Sequence, residues 1–329
     1  MARKRATIRE VAQATGLSPA AVSYALRGLQ VSEETMERVR AAAAELGYEA
    51  DPIARALASG RTGMIGLLCG SLEDLWQQSL AVRISRGLRE KDRYALILDA
   101  VGDPARERLL AQQLRDQRVD GMIVQPLDPA AAFWTELCES LPVVAIGDAL
   151  AGTAGEVVFD NRRGVTLALE HLRSLGHHRV SVLTSTQAST PDRPADVYAT
   201  AEAERLGLDI EVATAPHGLA GATSAALRIL TEKKPSAVFC FADSIAYGVY
   251  AAAQELGLSI PGDVSVMGYD DYPMSGLLTP GLTTVDWDID GIVRAAVRLI
   301  SAAADGGTRR RRVVQAPTLR ERGSVAEPP

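Results

Sequence analysis

At 329 residues, 47% of them hydrophobic and 23% charged, the chain has the composition of a folded protein of two or three domains, not of a disordered one. No apolar run reaches membrane-spanning length and no apolar segment follows the basic N-terminus, so the expectation is a cytoplasmic protein without a signal peptide or membrane partner. The net charge of −6 argues against a nucleic-acid partner only if it is spread evenly, and it is not: residues 1–61 hold nine Lys and Arg against seven Asp and Glu. Cys69, Cys138 and Cys240 sit among apolar residues at unmatched spacings, which fits buried thiols and neither a disulfide framework nor a metal site.

The chain opens on a basic arm, Arg3-Lys4-Arg5, followed by TIREVAQATGLSPAAVSYALRG over 7–28. Ile8, Val11 and Ala12 share one face of a first helix, and Gly16 supplies a turn that needs positive φ. Ser18 is placed to cap a second helix, Pro19 suits its first position, and Ala21, Val22, Ala25 and Leu26 give it a narrow apolar face. Two short helices around a glycine turn form a helix-turn-helix pattern, although any helical hairpin shares it. Ser32 caps a third helix with Glu33 and Glu34 in its first turn; Met36, Val39, Ala43 and Leu46 close a small core, and Gly47 ends it. Asp51-Pro52 then opens a short Ala-rich helical segment over 51–61.

Beyond Arg61 short apolar runs alternate with helical stretches. Strands are expected at Met64–Cys69, Ala95–Leu98, Met122–Val124, Val143–Ile146, Val180–Thr184, Ala237–Phe241, Val264–Tyr269 and Thr283–Trp287. Helices are expected at Leu80–Lys91, Pro104–Gln117, Val165–Leu175, Ala222–Glu232, Ile245–Leu256 and Ile292–Ala304. Such alternation builds doubly wound parallel sheets, and the length implies two lobes. Ligands of open parallel sheets lie beyond the carboxyl ends of the strands, where this chain carries Asp99, Asp128, Asp148, Asp243 and Asp270. These carboxylates suit adjacent hydroxyls of a small polyol, with Trp76 to cover an apolar face; capping of the next helix is the competing role for each acid.

The stretch 7–28, VSEETMERVRAAAAELGYEADPIARALASGRT and the IGLL after it resemble the head of a lactose-repressor (LacI/GalR) family transcription regulator. QRVDGMIV, VVFDNRRGVTLALEHLRSLGHHRV, SIPGDVSVMGYDDYP and LTPGLTTV follow in the family's order over nearly the whole chain. The resemblance implies a small all-α head over 1–50, a hinge helix and linker over 51–61, and a two-lobed periplasmic-binding-protein-type body over 62–329. It implies a homodimeric repressor on near-palindromic operator DNA, controlled by a small-molecule effector such as a sugar bound between the lobes.

The DNA contacts so implied are Arg3, Lys4 and Arg5 of the arm, Thr7 and Ser18, then Pro19, Ala20, Ala21, Ser23 and Tyr24 of the second helix. Ala54 and Leu57 belong to the hinge, with Leu57 the minor-groove wedge. The implied effector contacts are Ser71, Trp76, Asp128, Arg193, Asp243 and Asp270, Asp270 first among them. The chain departs from the family at Tyr24, where arginine is usual, at Ala242 in place of Asn, at Pro194 in place of the pocket arginine, and at Gly70 and Ser71 in place of Pro and Asp. No leucine-heptad tail follows Arg322, which favours a dimer over a tetramer. The four histidines lack metal-ligand spacing, Arg309–Arg312 reads as a solvated loop before a last strand, and no phosphate loop, nucleophile elbow or cofactor motif occurs. A transport protein would have no use for residues 1–60, and an enzyme would need an acid/base pair or nucleophile in a recognisable setting.

Overall fold

The computed structural model describes residues 6–26, 28, 31–48, 60–185 and 195–329. They divide into two compact units, Met1–Thr62 and Gly63–Pro329.

In the first unit, Thr7 caps α1 (Ile8–Thr15) through a capping box: its Oγ1 accepts from the Glu10 N–H while Glu10 Oε2 accepts from the Thr7 N–H at 2.6 Å. Gly16 ends α1 at φ 68°, a conformation that a side chain would strain. Ser18 Oγ then accepts from the Ala21 N–H at 3.1 Å and starts α2 (Pro19–Leu26), and Ser32 caps α3 (Glu33–Glu45). Val11, Ala12, Val22, Ala25, Val39 and Ala43 make the core of this three-helix unit. Leu46, expected in that core, is the helix cap and 42% exposed; Tyr48, whose N–H returns to the Ala43 carbonyl, packs there instead.

The second unit holds two six-stranded sheets. The first comprises β1 (Met64–Cys69), β2 (Tyr94–Asp99), β3 (Gly121–Val124), β4 (Val143–Gly147), β5 (Gly155–Phe159) and β11 (Arg311–Gln315), all parallel, in the order β11-β5-β4-β3-β1-β2. The second comprises β6 (Arg179–Ser185), β7 (Asp209–Ala215), β8 (Ala237–Cys240), β9 (Ser265–Asp270), β10 (Thr283–Asp286) and β12 (Thr318–Arg320), in the order β12-β10-β9-β8-β6-β7, with β12 alone antiparallel. The helices are α4 (Leu75–Arg89), α5 (Pro104–Asp116), α6 (Phe133–Ser140), α7 (Asn161–Ser174), α8 (Ala195–Leu206), α9 (Leu219–Glu232), α10 (Asp243–Leu256) and α11 (Ile289–Ala304).

The chain passes between lobes after β5, after β10 and after β11, so neither lobe is a continuous segment. One line of rings joins them. Trp76 meets Phe159 with centroids 5.6 Å apart, Phe159 meets Trp287 at 5.1 Å, Trp287 meets Tyr269 at 5.4 Å, and Tyr269 meets Phe241 at 5.4 Å. Phe159 and Trp287 lie at two of the crossings, so a single core cluster runs through both lobes.

Several elements differ from the sequence pattern for identifiable reasons. β5 contains Glu156, only 3% exposed; its carboxylate meets the Arg310 guanidinium and takes the Thr153 hydroxyl at 3.2 Å, partners that local periodicity does not reveal. The arginine run is correspondingly not a plain loop: Arg310 also donates to the Leu150 carbonyl, and Arg311 and Arg312 open β11. Helix α4 begins at Leu75, not Leu80, because Asp74 Oδ1 accepts from the Trp76 N–H at 2.8 Å. Edge strand β7 alternates polar and apolar residues and lacked the apolar run that marked the others. Cys69 and Cys240 are buried as expected, whereas Cys138 is only partly so.

His177 pins the C-terminal segment. Its Nε2 donates to the Ala326 carbonyl at 2.9 Å and its Nδ1 lies 2.9 Å from the Ser236 hydroxyl. Burial holds its pKa below the ordinary imidazole value, against the opposing pull of the Ala326 carbonyl. The unfolded chain therefore binds this proton more readily than the folded one. Stability linked to His177 is complete above pH 6.5 and declines as the pH falls below it. Urea titrations of wild type and His177→Gln between about pH 7 and about pH 5 should show a shallower acid-side loss of stability in the variant.

Candidate DNA-reading helix and inter-lobe cleft

Helix α2 has a surface of unusual character. Pro19 and Ala20 are exposed, Ala21 and Ser23 partly so, and Tyr24 is 43% exposed, which sets aside a core role for its ring. No acid or base lies in its first or last turn. Thr7 and Ser18 are both exposed, and both already hold a helix N-terminus through their hydroxyl oxygens. Arg3, Lys4, Arg5, Ala54, Leu57, Arg193 and Pro194 lie outside the described residues.

In the body, the acids at the strand ends are turned toward the protein. Asp243 Oδ1 accepts from the Tyr269 N–H at 2.9 Å and the Thr284 hydroxyl at 2.6 Å, while Oδ2 accepts from the Tyr272 N–H at 2.8 Å and from the Ser275 hydroxyl. Burial raises its pKa and these bonds oppose the rise. The carboxylate packs so closely that a Cβ on Gly268 would lie 2.1 Å from Oδ1. The expectation that Asp243 contacts an effector is therefore corrected: its acceptor positions are occupied by the loop it organises.

Asp128 is likewise a cap. Its Oδ1 accepts from the Ala130 N–H at 3.1 Å and its carbonyl takes the Trp134 indole at 3.0 Å, the local role weighed against ligand binding. Asp99 Oδ1 takes the Leu72 and Val101 N–H groups at 3.1 and 2.9 Å. Asp270 stands at the end of β9, 8% exposed, with Oδ2 3.3 Å from the Asp243 N–H. Ser71 is buried in the turn after β1, its N–H on Gln77 Oε1 at 3.2 Å. Trp76 is not an open cover for a ligand face: it is 2% exposed, edge-on to Phe159.

The structure adds residues that the sequence reading passed over. His217, between β7 and α9, places Nδ1 3.0 Å from the Ser244 hydroxyl, and the Asp74 carboxylate lies close enough to interact with its ring. Burial raises the Asp74 pKa and His217 opposes the rise. His217 and Ser244 line a groove of about 970 Å³ that also touches Glu73, Leu75, Tyr247 and Tyr250. A smaller cleft of about 270 Å³ takes Asp148, Asp160, Arg162, Tyr198 and Arg312. Gln77 and Gln125 are buried beside the turn after β1, and Trp287 follows β10 directly. Histidine spacing along the chain speaks only to metal ligation, so nothing local joins His217 to Asp74.

Residues 7–51 match the profile of bacterial regulatory proteins of the lacI family, and residues 169–325 that of a periplasmic binding protein-like domain. The ribose operon repressor of Haemophilus influenzae is 30% identical over 292 residues, covering 85% of this chain and 86% of its own. This chain belongs to the lacI family of bacterial regulatory proteins. The transcriptional regulator GalR of Escherichia coli strain K12 is also 30% identical to this lacI-family chain, over 331 residues covering 98% of this chain and 96% of its own. The lac repressor dimer solved with operator and the anti-inducer ONPF superimposes with a TM-score of 0.87 at 24% identity, covering 98% of this chain and 100% of its own. The lacI-family fold is thus a helix-turn-helix head with two parallel-sheet lobes, and the family's work is transcriptional regulation, not catalysis.

The role of Asp243 separates it from the other acids. Asp243→Ala leaves four buried or part-buried donors without an acceptor, which should lower unfolding free energy by about 3–5 kcal/mol, against about 1 kcal/mol for the cap Asp128→Ala. Guanidinium midpoints of the two variants give the comparison.

Proposed function

We propose that this lacI-family regulator is a cytoplasmic, homodimeric repressor whose two heads bind half-sites of a near-palindromic operator. A small-molecule effector between the lobes of the body sets its affinity for that operator. The observation that carries the reading is the pairing, in one chain, of an exposed helix-turn-helix surface with a body of two parallel-sheet lobes. Among the described residues no helix is long and apolar enough to cross a membrane. A second copy is the partner favoured by an exposed apolar surface near the large groove, where Leu219 is 59%, Met274 49% and Leu277 82% exposed. The domain scheme follows: head over 1–50, hinge helix and linker over 51–61 with Leu57 as the minor-groove wedge, effector body over 62–329. Arg3, Lys4 and Arg5 contribute phosphate contacts, whose loss would flatten the salt dependence of binding.

Effector binding would act by population shift. A ligand that prefers one degree of lobe closure by a few kcal/mol suffices to move the equilibrium of hinge pairing on DNA. In this scheme Asp270 remains a pocket residue together with Ser71, Trp76 and Arg193.

The reading is tested by selecting bound sequences from random duplex DNA and titrating the recovered site with and without candidate effectors. A two-half-site consensus is expected; absence of any sequence preference would remove the repressor function. With Pro19, Ala20 and Ala21 unable to hydrogen-bond a base and Tyr24 in place of an arginine, thymine methyl contacts should weigh heavily in readout. Replacing thymidine by deoxyuridine in the selected half-site should weaken binding, and Tyr24→Arg should shift preference toward guanine; equal affinity for both duplexes would refute methyl readout. Leu277→Glu should move sedimentation from dimer to monomer and weaken operator binding with it. A dimer that persists would place the interface elsewhere.

A further inference from the structure

A set of buried donors at the cleft lacks hydrogen-bond partners. Among the described residues, the buried Nε1 of Trp76 and of Trp287, the Nε2 of Gln77 and of Gln125, and the Nε2 of His217 have no hydrogen-bond partner. Native proteins leave few buried polar groups unpaired, because the desolvation of each goes uncompensated. These are not scattered. Trp76 and Gln77 form the first turn of α4 after β1, Gln125 follows β3, Trp287 follows β10, and His217 stands between β7 and α9. Every one is at the carboxyl end of a strand or just beyond it, where open parallel sheets bind ligands. The Trp76–Phe159–Trp287 ring contacts link the two lobes' contributions directly.

The polarity of the two indoles and of Gln77 is fixed. An indole N–H only donates. Gln77 has committed its Oε1 to the Ser71 N–H, so its NH2 is what remains. His217 Nδ1 lies 3.0 Å from the Ser244 hydroxyl, which leaves its ring Nε2 over. By contrast, the neighbouring acids already accept protein hydrogen bonds: Asp74 from Trp76, Asp99 from Leu72 and Val101, Asp243 from four groups, Asp270 from the Asp243 N–H. The polyol expected from the sequence, donating its hydroxyls to carboxylates, would meet acids that are occupied and donors it uses only in part.

We infer that the effector presents clustered sp² oxygen acceptors, as a carboxylate or ring carbonyls do, to the donors Trp76, Gln77, Gln125, His217 and Trp287. This rests on the reading of the body as an effector-binding module. Neither an anion-binding loop nor a metal is required.

The test uses full-length protein and ligand pairs that differ only in the oxygen chemistry: galactose with galacturonate, glucose with glucuronate, ribose with ribonolactone. Hypoxanthine and guanine are added for ring carbonyls. Thermal shift and operator affinity are measured on the same samples. The expected result is a Tm increase and a changed operator affinity for at least one acceptor-rich member, with little response to its hydroxyl counterpart. A polyol that binds as well as or better than its acidic partner overturns the inference while leaving effector control intact, as does a flat panel. A ligand that raises Tm without altering operator affinity counts against the effector reading itself. Gln125→Met removes an idle amide at nearly constant volume. It should leave the unliganded Tm unchanged or raised and weaken the responding ligand about tenfold. A marked fall in the unliganded Tm would show that the Gln125 amide is already used within the protein and would overturn the inference.

Discussion

Three passages of the chain between two sheets make the body a single mechanical object. Because β5, β10 and β11 each lead into the other lobe, the crossings must share one interior, and the rings from Trp76 to Phe241 are that interior. Side chains at close-packed density do not deform continuously; they adopt one arrangement or another. Phe159 and Trp287, placed at the crossings themselves, couple any change in lobe closure to repacking of this line.

Around this line carboxylates and neutral donors are treated in opposite ways. Carboxylates at the strand ends serve architecture: Asp243 gathers β9, β10 and the loop between them, and Asp99, Asp74 and Asp128 fix the loops that begin the next elements. Donors are left over. A buried carboxylate is costly unless several hydrogen bonds hold it, so acids deep in the cleft acquire protein partners, while indoles and amides tolerate waiting for a ligand at smaller cost. Charge at the strand ends thus serves the fold, and neutral donors are left beside it.

The head solves a separate problem with little material. Its core is small, so its helices depend on caps: the Thr7–Glu10 box, Ser18 and Ser32 each satisfy end groups that packing cannot reach. What α2 then displays is small and apolar around one tyrosine, a surface suited to shape and methyl groups more than to charge.

Much of this was legible along the chain. Helix caps, the Gly16 turn, strand and helix alternation and the order of family segments are local signals, written within a few residues of where they act, and they sufficed for fold class and family. Role at the cleft was not local. Asp243 and Asp270 look equivalent in sequence, and only the approach of Tyr269, Tyr272, Ser275 and Thr284 makes one of them a structural hub. Glu156 broke an apolar strand pattern until Arg310 supplied its counter-charge from another part of the chain. His217 lacked meaning until Asp74 came to face it from the other lobe. The sequence by itself determined the elements, their order and the regulator family, because propensity and periodicity act over short separations. Tertiary structure alone decided which polar atoms are spent on the fold and which stay open to a ligand, because that depends on partners brought together across the chain.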